Sequence, residues 1–251
     1  MTTVYQNAPP AAHTDWAYFL DIDGTLIEIA DHPDAVYVDK ALLRLVARLY
    51  RASDGALALV TGRSIADIEG RLGPLPLPIS GQHGLEWRDV NGHVWIRAAS
   101  PVETRQAIID ALQPILVRHP GLLLEKKALT LALHYRAAPH LAAYVHRLME
   151  RLAASGGVAL EVQRGKCVVE IKPAGFDKGT AVSAYLAAPP FQGRCPVFIG
   201  DDLNDEHGFA EVNRMDGVSI KVGPGISCAH YRLANVAAVR RWLGKALKAS
   251  A

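Results

Sequence analysis

The sequence predicts an α/β fold in which a parallel sheet carries an inserted α+β unit. Three observations predict it. Near the start, two short apolar runs flank an amphipathic stretch of helical spacing, and each run ends abruptly in polar residues. The same grammar returns in the last third of the chain. Between them, a helix-strand-strand order occurs twice.

The first strand is expected over residues 16–20, a continuous apolar run that gives way to Asp21-Ile22-Asp23-Gly24. Residues 40–50 place Leu42, Leu43, Val46 and Leu49 at helical spacing, and 56–60 follow as a second buried strand. Strand, helix and strand in this order form a βαβ unit, whose two strands run parallel. Residues 85–97 read as a hairpin around Asn91-Gly92, a dipeptide that accepts the positive φ angles of a primed turn. A helix (103–118), two strands (122–125 and 129–135), a second helix (140–153) and two more strands (158–163 and 168–171) come next. Strands joined by short turns pair antiparallel, so this stretch is a separate sheet with helices on one face. The parallel pattern resumes with a helix (178–187), a strand (197–200), a helix (205–212) and a strand (218–222). The expected division is therefore 1–99 with 173–251 for the core and 100–172 for the insert.

Bulk composition narrows the function classes. Half of the 251 residues are hydrophobic, enough for a sizeable core. Twenty-seven basic and 25 acidic residues nearly balance, with no run of one sign, which points away from nucleic acid and from membrane surfaces. No stretch has the length of a membrane span, and MTTVYQNAPPAAHTD lacks the basic segment and apolar run of a signal peptide. Cys167, Cys195 and Cys228 are far apart and form no CxxC, so buried free thiols in a reducing cytoplasm are expected. A monomer acting on a small molecule is the simplest reading.

In open parallel sheets, ligands bind beyond the carboxyl ends of the strands, so the polar tips after Leu20, Val60 and Ile199 should converge. What they offer matches the attack of a carboxylate on a phosphate monoester, which requires a cation, a further positive charge and hydrogen-bond donors. Asp21 is the expected nucleophile. Asp23, two residues on, is the expected acid for the leaving oxygen and base for water. Thr61, before Gly62, can donate a hydroxyl to a phosphoryl oxygen. Lys178 opens a helix, where anions are favoured, and can neutralise phosphate and nucleophile together. In GDDLNDEHGF, hard oxygen donors crowd a strand end, a pattern suited to Mg²⁺. Asp201 is the expected direct ligand together with Asp21 and the carbonyl of Asp23, while Asp202, Asn204 and Asp205 hold waters or orient these ligands. The segment lacks the DxDxDG spacing of a calcium loop.

DIDGTL, LVTGR, the lysine of DKGT and GDDLNDE, in this order, resemble the four motifs of the haloacid dehalogenase superfamily. GQHGLEWRD, LEKKALTLALHYR and GKCVVEIKP resemble segments of bacterial trehalose-6-phosphate phosphatases, as do HPDAVYVD, SDGALALVTGRS and PVFIGDDLNDEHGFAEVN. Asn204 departs from the Thr usual in that family. The resemblance implies a Rossmann-like core of the haloacid dehalogenase type with an inserted α+β cap. It also implies Mg-dependent hydrolysis of trehalose 6-phosphate through an aspartyl phosphate, the last step of trehalose biosynthesis. It further implies that cap residues Glu125, Lys127 and Glu170, with Lys166 as a further candidate, hold the sugar. Another sugar phosphate, such as sucrose 6-phosphate, mannosylglycerate phosphate or a phosphorylated monosaccharide, or a silent sugar-phosphate binder, remains an alternative. His83 and Glu86 are expected at a tight junction where core meets cap, in a structural or substrate-edge role, 134–136 in packing, hinge or sugar contact, and Arg240, Arg241, Lys245 and Lys248 on a solvated helical face.

Overall fold

The computed structural model describes residues 8–29, 38–73 and 76–249; the first seven residues, most of HPDAVYVD and the side chain of Lys248 lie outside them. The chain begins with β1 (Ala17–Leu20), α1 (Lys40–Ala52), β2 (Leu57–Val60), α2 (Ile65–Leu72), β3 (Ile79–Gly81), β4 (Glu86–Arg88) and β5 (Val94–Ile96). It continues through α3 (Val102–Arg118), β6 (Leu123–Lys126), β7 (Leu131–His134), α4 (Ala142–Ser155), β8 (Leu160–Gly165) and β9 (Val168–Pro173). It ends with α5 (Lys178–Leu186), β10 (Pro196–Gly200), α6 (Glu206–Arg214), β11 (Val218–Val222), β12 (Tyr231–Leu233) and α7 (Val236–Ala249).

Two compact units result, one running to Trp95 and resuming at Asp177, the other spanning Ile96–Phe176. These edges differ from the expected 100 and 172. Both ends of the second unit are tied within it: the Arg97 guanidinium lies 5.2 Å from the centre of the Phe176 ring, and Lys172 donates to the Phe176 carbonyl.

The first unit is an eight-stranded sheet in the order β12-β11-β10-β1-β2-β3-β4-β5. β1 lies between β10 and β2, parallel to both, with Tyr18 opposite Val197 and Leu57. It has no solvent face, which explains its unbroken apolar run. Tyr18, Leu20, Leu57, Leu59, Val197 and Ile199 pack in one layer with Leu42, Val46 and Leu49 of α1 and Val239 and Leu243 of α7. Phe19, Ala58, Val60 and Phe198 point the other way, against Ala181, Val182 and Tyr185 of α5 and Phe209 of α6. Each large side chain so buried contributes roughly 1.5–3 kcal/mol.

Three expectations need correction here. The 85–97 hairpin does not turn on a primed dipeptide, because Gly92 has φ +83° and Asn91 does not share the positive sign. Asp89 instead accepts from the backbone N–H groups of Asn91 and His93, and Gly92 N–H donates to the Asp89 carbonyl at 3.2 Å. A wider turn capped by a carboxylate replaces the two-residue one. The thiols are not buried: Cys167 and Cys195 are half-buried, and Cys228 is exposed in a loop, held to Glu206 through its backbone N–H. Arg240 is not merely solvated, since it donates to the Leu26 carbonyl and to Asp39. Among the described residues, no helix is long and apolar enough to cross a membrane.

The second unit is a four-stranded antiparallel sheet, β6-β7-β9-β8. Leu131, Leu133, Val169 and Ile171 face α3 and α4, where Ile108, Leu112, Val145 and Met149 meet them. Strand side chains alternate, so the intervening positions form the other face. One cross-strand row there reads Glu125, Ala132, Glu170, Gln163.

Candidate active site

The sheet of the first unit delivers its polar residues at three strand ends. Asp21 follows β1, Thr61 follows β2 and Asp201 follows β10, and all three are buried. Asp21 N–H still bonds the Ile199 carbonyl at 3.0 Å, so the strand ladder itself holds the start of the acidic loop. Gly24 lets that loop fold back. Its φ is +75°, and a Cβ there would stand 2.2 Å from Asp201 Oδ2, so only glycine permits the two acidic loops to approach.

Lys178 enters from the first turn of α5, whose N-cap Asp177 and Thr180 form a capping box. Its ammonium donates to Asp21 Oδ1 at 2.7 Å and to Asp205 Oδ1 at 2.6 Å. Burial works against its charge, but the carboxylates of Asp205 and Asp21 outweigh that and hold the ammonium above the ordinary lysine range. Burial pushes the Asp21 carboxyl well up; Lys178 opposes this, and Asp205 and Asp201 reinforce it. Thr25 adds a hydroxyl to Asp21 Oδ2 at 3.3 Å.

Asp21, Asp201 and Asp205 each bring one oxygen within 4.8 Å of the others. Three buried carboxylates against the Lys178 ammonium fit a hard divalent cation. Asn204 Oδ1 strengthens that fit: it is buried and accepts no hydrogen bond among the described residues. Asp205, however, is already engaged on both oxygens. Oδ1 meets Lys178, and Oδ2 accepts from the N–H groups of Asp201 and Asp202 at 2.8 Å each. Its Oδ2 thereby orients the loop, while Oδ1, with a single donor, keeps a further lone pair. Asp202 caps the helical turn Leu203–Asp205 through the Leu203 N–H at 2.8 Å.

Asp23 is the residue whose setting the sequence does not announce. Its two oxygens accept from Arg63 Nε at 2.6 Å and Nη2 at 2.7 Å, and Arg63 also donates to Asp67 at 2.7 Å. The Arg63 backbone N–H reaches Thr61 Oγ1 at 3.2 Å, leaving the Thr61 hydroxyl hydrogen available. LVTGR contains Arg63, and the one sequence signal for its role is its place two residues beyond Thr61. Lys221 carries no motif that marks it in the sequence. Buried in β11, it donates to the Asp201 carbonyl at 2.6 Å and the Val222 carbonyl at 2.8 Å.

The GQHG turn supports Thr61 from the side. His83 N–H donates to the Thr61 carbonyl at 3.1 Å, and the His83 ring packs where a side chain on Gly62 would lie. Glu86 accepts from Gln82 and, at 2.6 Å, from the N–H of Ile65 at the start of α2. On the second unit, Lys127 donates to Glu170 Oε2 at 2.9 Å, and Thr130 donates to the other oxygen. Glu125 lies in the same row, while Lys166 is exposed in the turn after β8.

A family model for trehalose-phosphatase matches residues 19–237. The chain belongs to the trehalose-phosphatase family. It is a phosphatase by that membership, which accords with a buried Asp-Lys pair at the end of a parallel strand. Over 234 residues it is 44% identical to the trehalose-6-phosphate phosphatase of Escherichia coli, covering 93% of this chain and 87% of that relative. Its structure resembles that of a trehalose-6-phosphate phosphatase related protein, with TM-score 0.76, 28% identity, and 93% and 97% of the two chains covered. A Bacteroides thetaiotaomicron phosphatase of the haloalkanoate superfamily shares the fold, with TM-score 0.61, 16% identity, and 92% and 93% covered. That likeness shows a shared α/β fold.

Proposed function

We propose that the chain hydrolyses trehalose 6-phosphate to trehalose and inorganic phosphate, the last step of trehalose biosynthesis. The observation that carries the chemistry is Lys178, whose ammonium bridges buried Asp21 and Asp205. Asp21 attacks phosphorus, an aspartyl phosphate forms, and the bond from phosphorus to the sugar oxygen breaks. Lys178 offsets the charge on the nucleophile and phosphate, and Thr61 donates to a phosphoryl oxygen. Asp23 protonates the leaving sugar oxygen, then takes a proton from the water that attacks the phosphoryl group and restores Asp21. A carboxylate held on both oxygens by Arg63 cannot act as an acid, so this role requires that ion pair to open.

Asp21, Asp201 and the main-chain carbonyl of Asp23 would hold Mg²⁺, which offsets the repulsion between carboxylate and phosphate dianion. Asn204, Asp202 and Asp205 would hold waters or orient these ligands. Glu125, Lys127 and Glu170 read the sugar hydroxyls, with Lys166 as a further contact, because ionised acceptors and ammonium donors in fixed directions discriminate among isomers. The protein acts as a cytoplasmic monomer. The test is phosphate release by the purified chain with magnesium across a panel of sugar phosphates. Trehalose 6-phosphate should lead. Comparable turnover of glucose 6-phosphate refutes a disaccharide enzyme, faster turnover of sucrose 6-phosphate or mannosylglycerate phosphate reassigns the substrate, and binding without turnover refutes catalysis.

A further inference from the structure

We infer that His134 is a positioning residue for sugar recognition, aiming the Glu125 carboxylate. The inference rests on the reading above that Glu125 meets the sugar. The register places His134 opposite Leu123 and Glu125 opposite Ala132, so the two side chains are diagonal neighbours on the face turned away from α3 and α4. His134 Nε2 and Glu125 Oε2 are 2.8 Å apart.

An ionised carboxylate only accepts, so Nε2 carries the hydrogen and donates. That bond is the main cause holding the Glu125 carboxyl below the ordinary glutamate range; burial opposes it, and Lys127 adds to it. Oε1 of Glu125 accepts no hydrogen bond among the described residues and is the oxygen left for a ligand hydroxyl. Glutamate otherwise has one of the larger side-chain entropies, and a neighbour that fixes its carboxylate removes that penalty from binding. Glu170, two strands or about 10 Å along the same row, is held on both oxygens, by Lys127 on one and Thr130 on the other. Ala132 puts only a methyl group between them. The row therefore presents two carboxylates, each aimed by a side chain outside it.

The experiment compares His134→Leu, His134→Gln, Glu125→Ala and the Leu/Ala double variant in the full chain, on trehalose 6-phosphate and on p-nitrophenyl phosphate. His134→Leu should raise KM for the sugar phosphate about ten-fold, with kcat and the small ester little changed. His134→Gln, whose amide can donate to the same oxygen, should recover most of the loss. The double variant should lose no more than Glu125→Ala alone. A sugar-phosphate KM unchanged by His134→Leu while Glu125→Ala raises it overturns the inference, as do additive losses, no recovery by Gln, or equal losses on both substrates. If Glu125→Ala leaves the sugar phosphate unaffected, the assignment of Glu125 to the sugar fails first and the inference falls with it.

Discussion

Gly24→Ala should separate folding from chemistry in this site. The substitution has two effects of different kind. A side chain at φ +75° raises the energy of the folded state by roughly 1–2 kcal/mol. The added Cβ also stands 2.2 Å from Asp201 Oδ2 and 2.7 Å from Oδ1, inside the 3.0 Å that such contacts respect. The Asp201 carboxylate must move by about 1 Å, a displacement that at a reacting centre lowers the rate roughly 100-fold. Gly92→Ala supplies the control, because Gly92 has φ +83° but nothing within 4 Å of a built Cβ. Thermal unfolding should show similar falls in Tm for both, about 2–8 °C. Phosphate release should collapse only in Gly24→Ala. If Gly24→Ala loses no more activity than Gly92→Ala, the placement of Asp201 is not what the site depends on, and the reasoning fails.

Asp21→Asn should reduce turnover by at least about 10³-fold, and a variant that keeps more would refute the covalent route. Because burial raises the folded carboxyl of Asp21 above its unfolded value, its ionised form destabilises the fold at neutral pH, so metal-free Asn variant should melt higher than the parent. Lys221→Met should shrink the rise in Tm that magnesium produces, since Lys221 holds the Asp201 main chain; an unchanged magnesium shift would show that this strap is dispensable. Asp39 is held below the ordinary aspartate range, first by Arg240 and then by the Leu42 N–H. Its stabilisation is therefore present above the unfolded value, near 4, and lost as pH falls through the folded one. Asp39→Asn keeps the cap but not the charge, so it should be slightly less stable than the parent at pH 7, by about 0.5 kcal/mol, with the difference shrinking as pH falls below about 4. A difference that does not shrink as pH falls would assign the effect to something other than charge.

Much of the core was legible because a strand buried on both faces writes its burial into consecutive residues. The runs before Asp21, Thr61 and Asp201 are of that kind, and their polar ends marked the site without any knowledge of strand order. The shorter elements escaped. β3 and β12 have three residues each, too few to show a period, and their pairing comes from neighbours already in place. The 91–92 turn misled because Asn-Gly favours a primed hairpin only when no nearby carboxylate competes, and Asp89 does. In the second unit, alternation revealed which residues avoid the helices. It did not reveal that Lys127 and Glu170, both read as sugar contacts, also bind each other.

By itself, then, the sequence determined which residue types stand at which strand ends, because propensity, periodicity and turn chemistry act over a few residues. Tertiary structure alone decided who partners whom. Lys178 meets Asp21 across 157 positions, Arg63 takes Asp23 across 40, and Lys221 reaches the Asp201 carbonyl across 20. Such pairs form because burying an ammonium or a carboxylate is unfavourable until an opposite charge or a hydrogen-bond partner arrives. That condition is met only when distant strands are brought side by side, and it leaves no periodic trace along the chain.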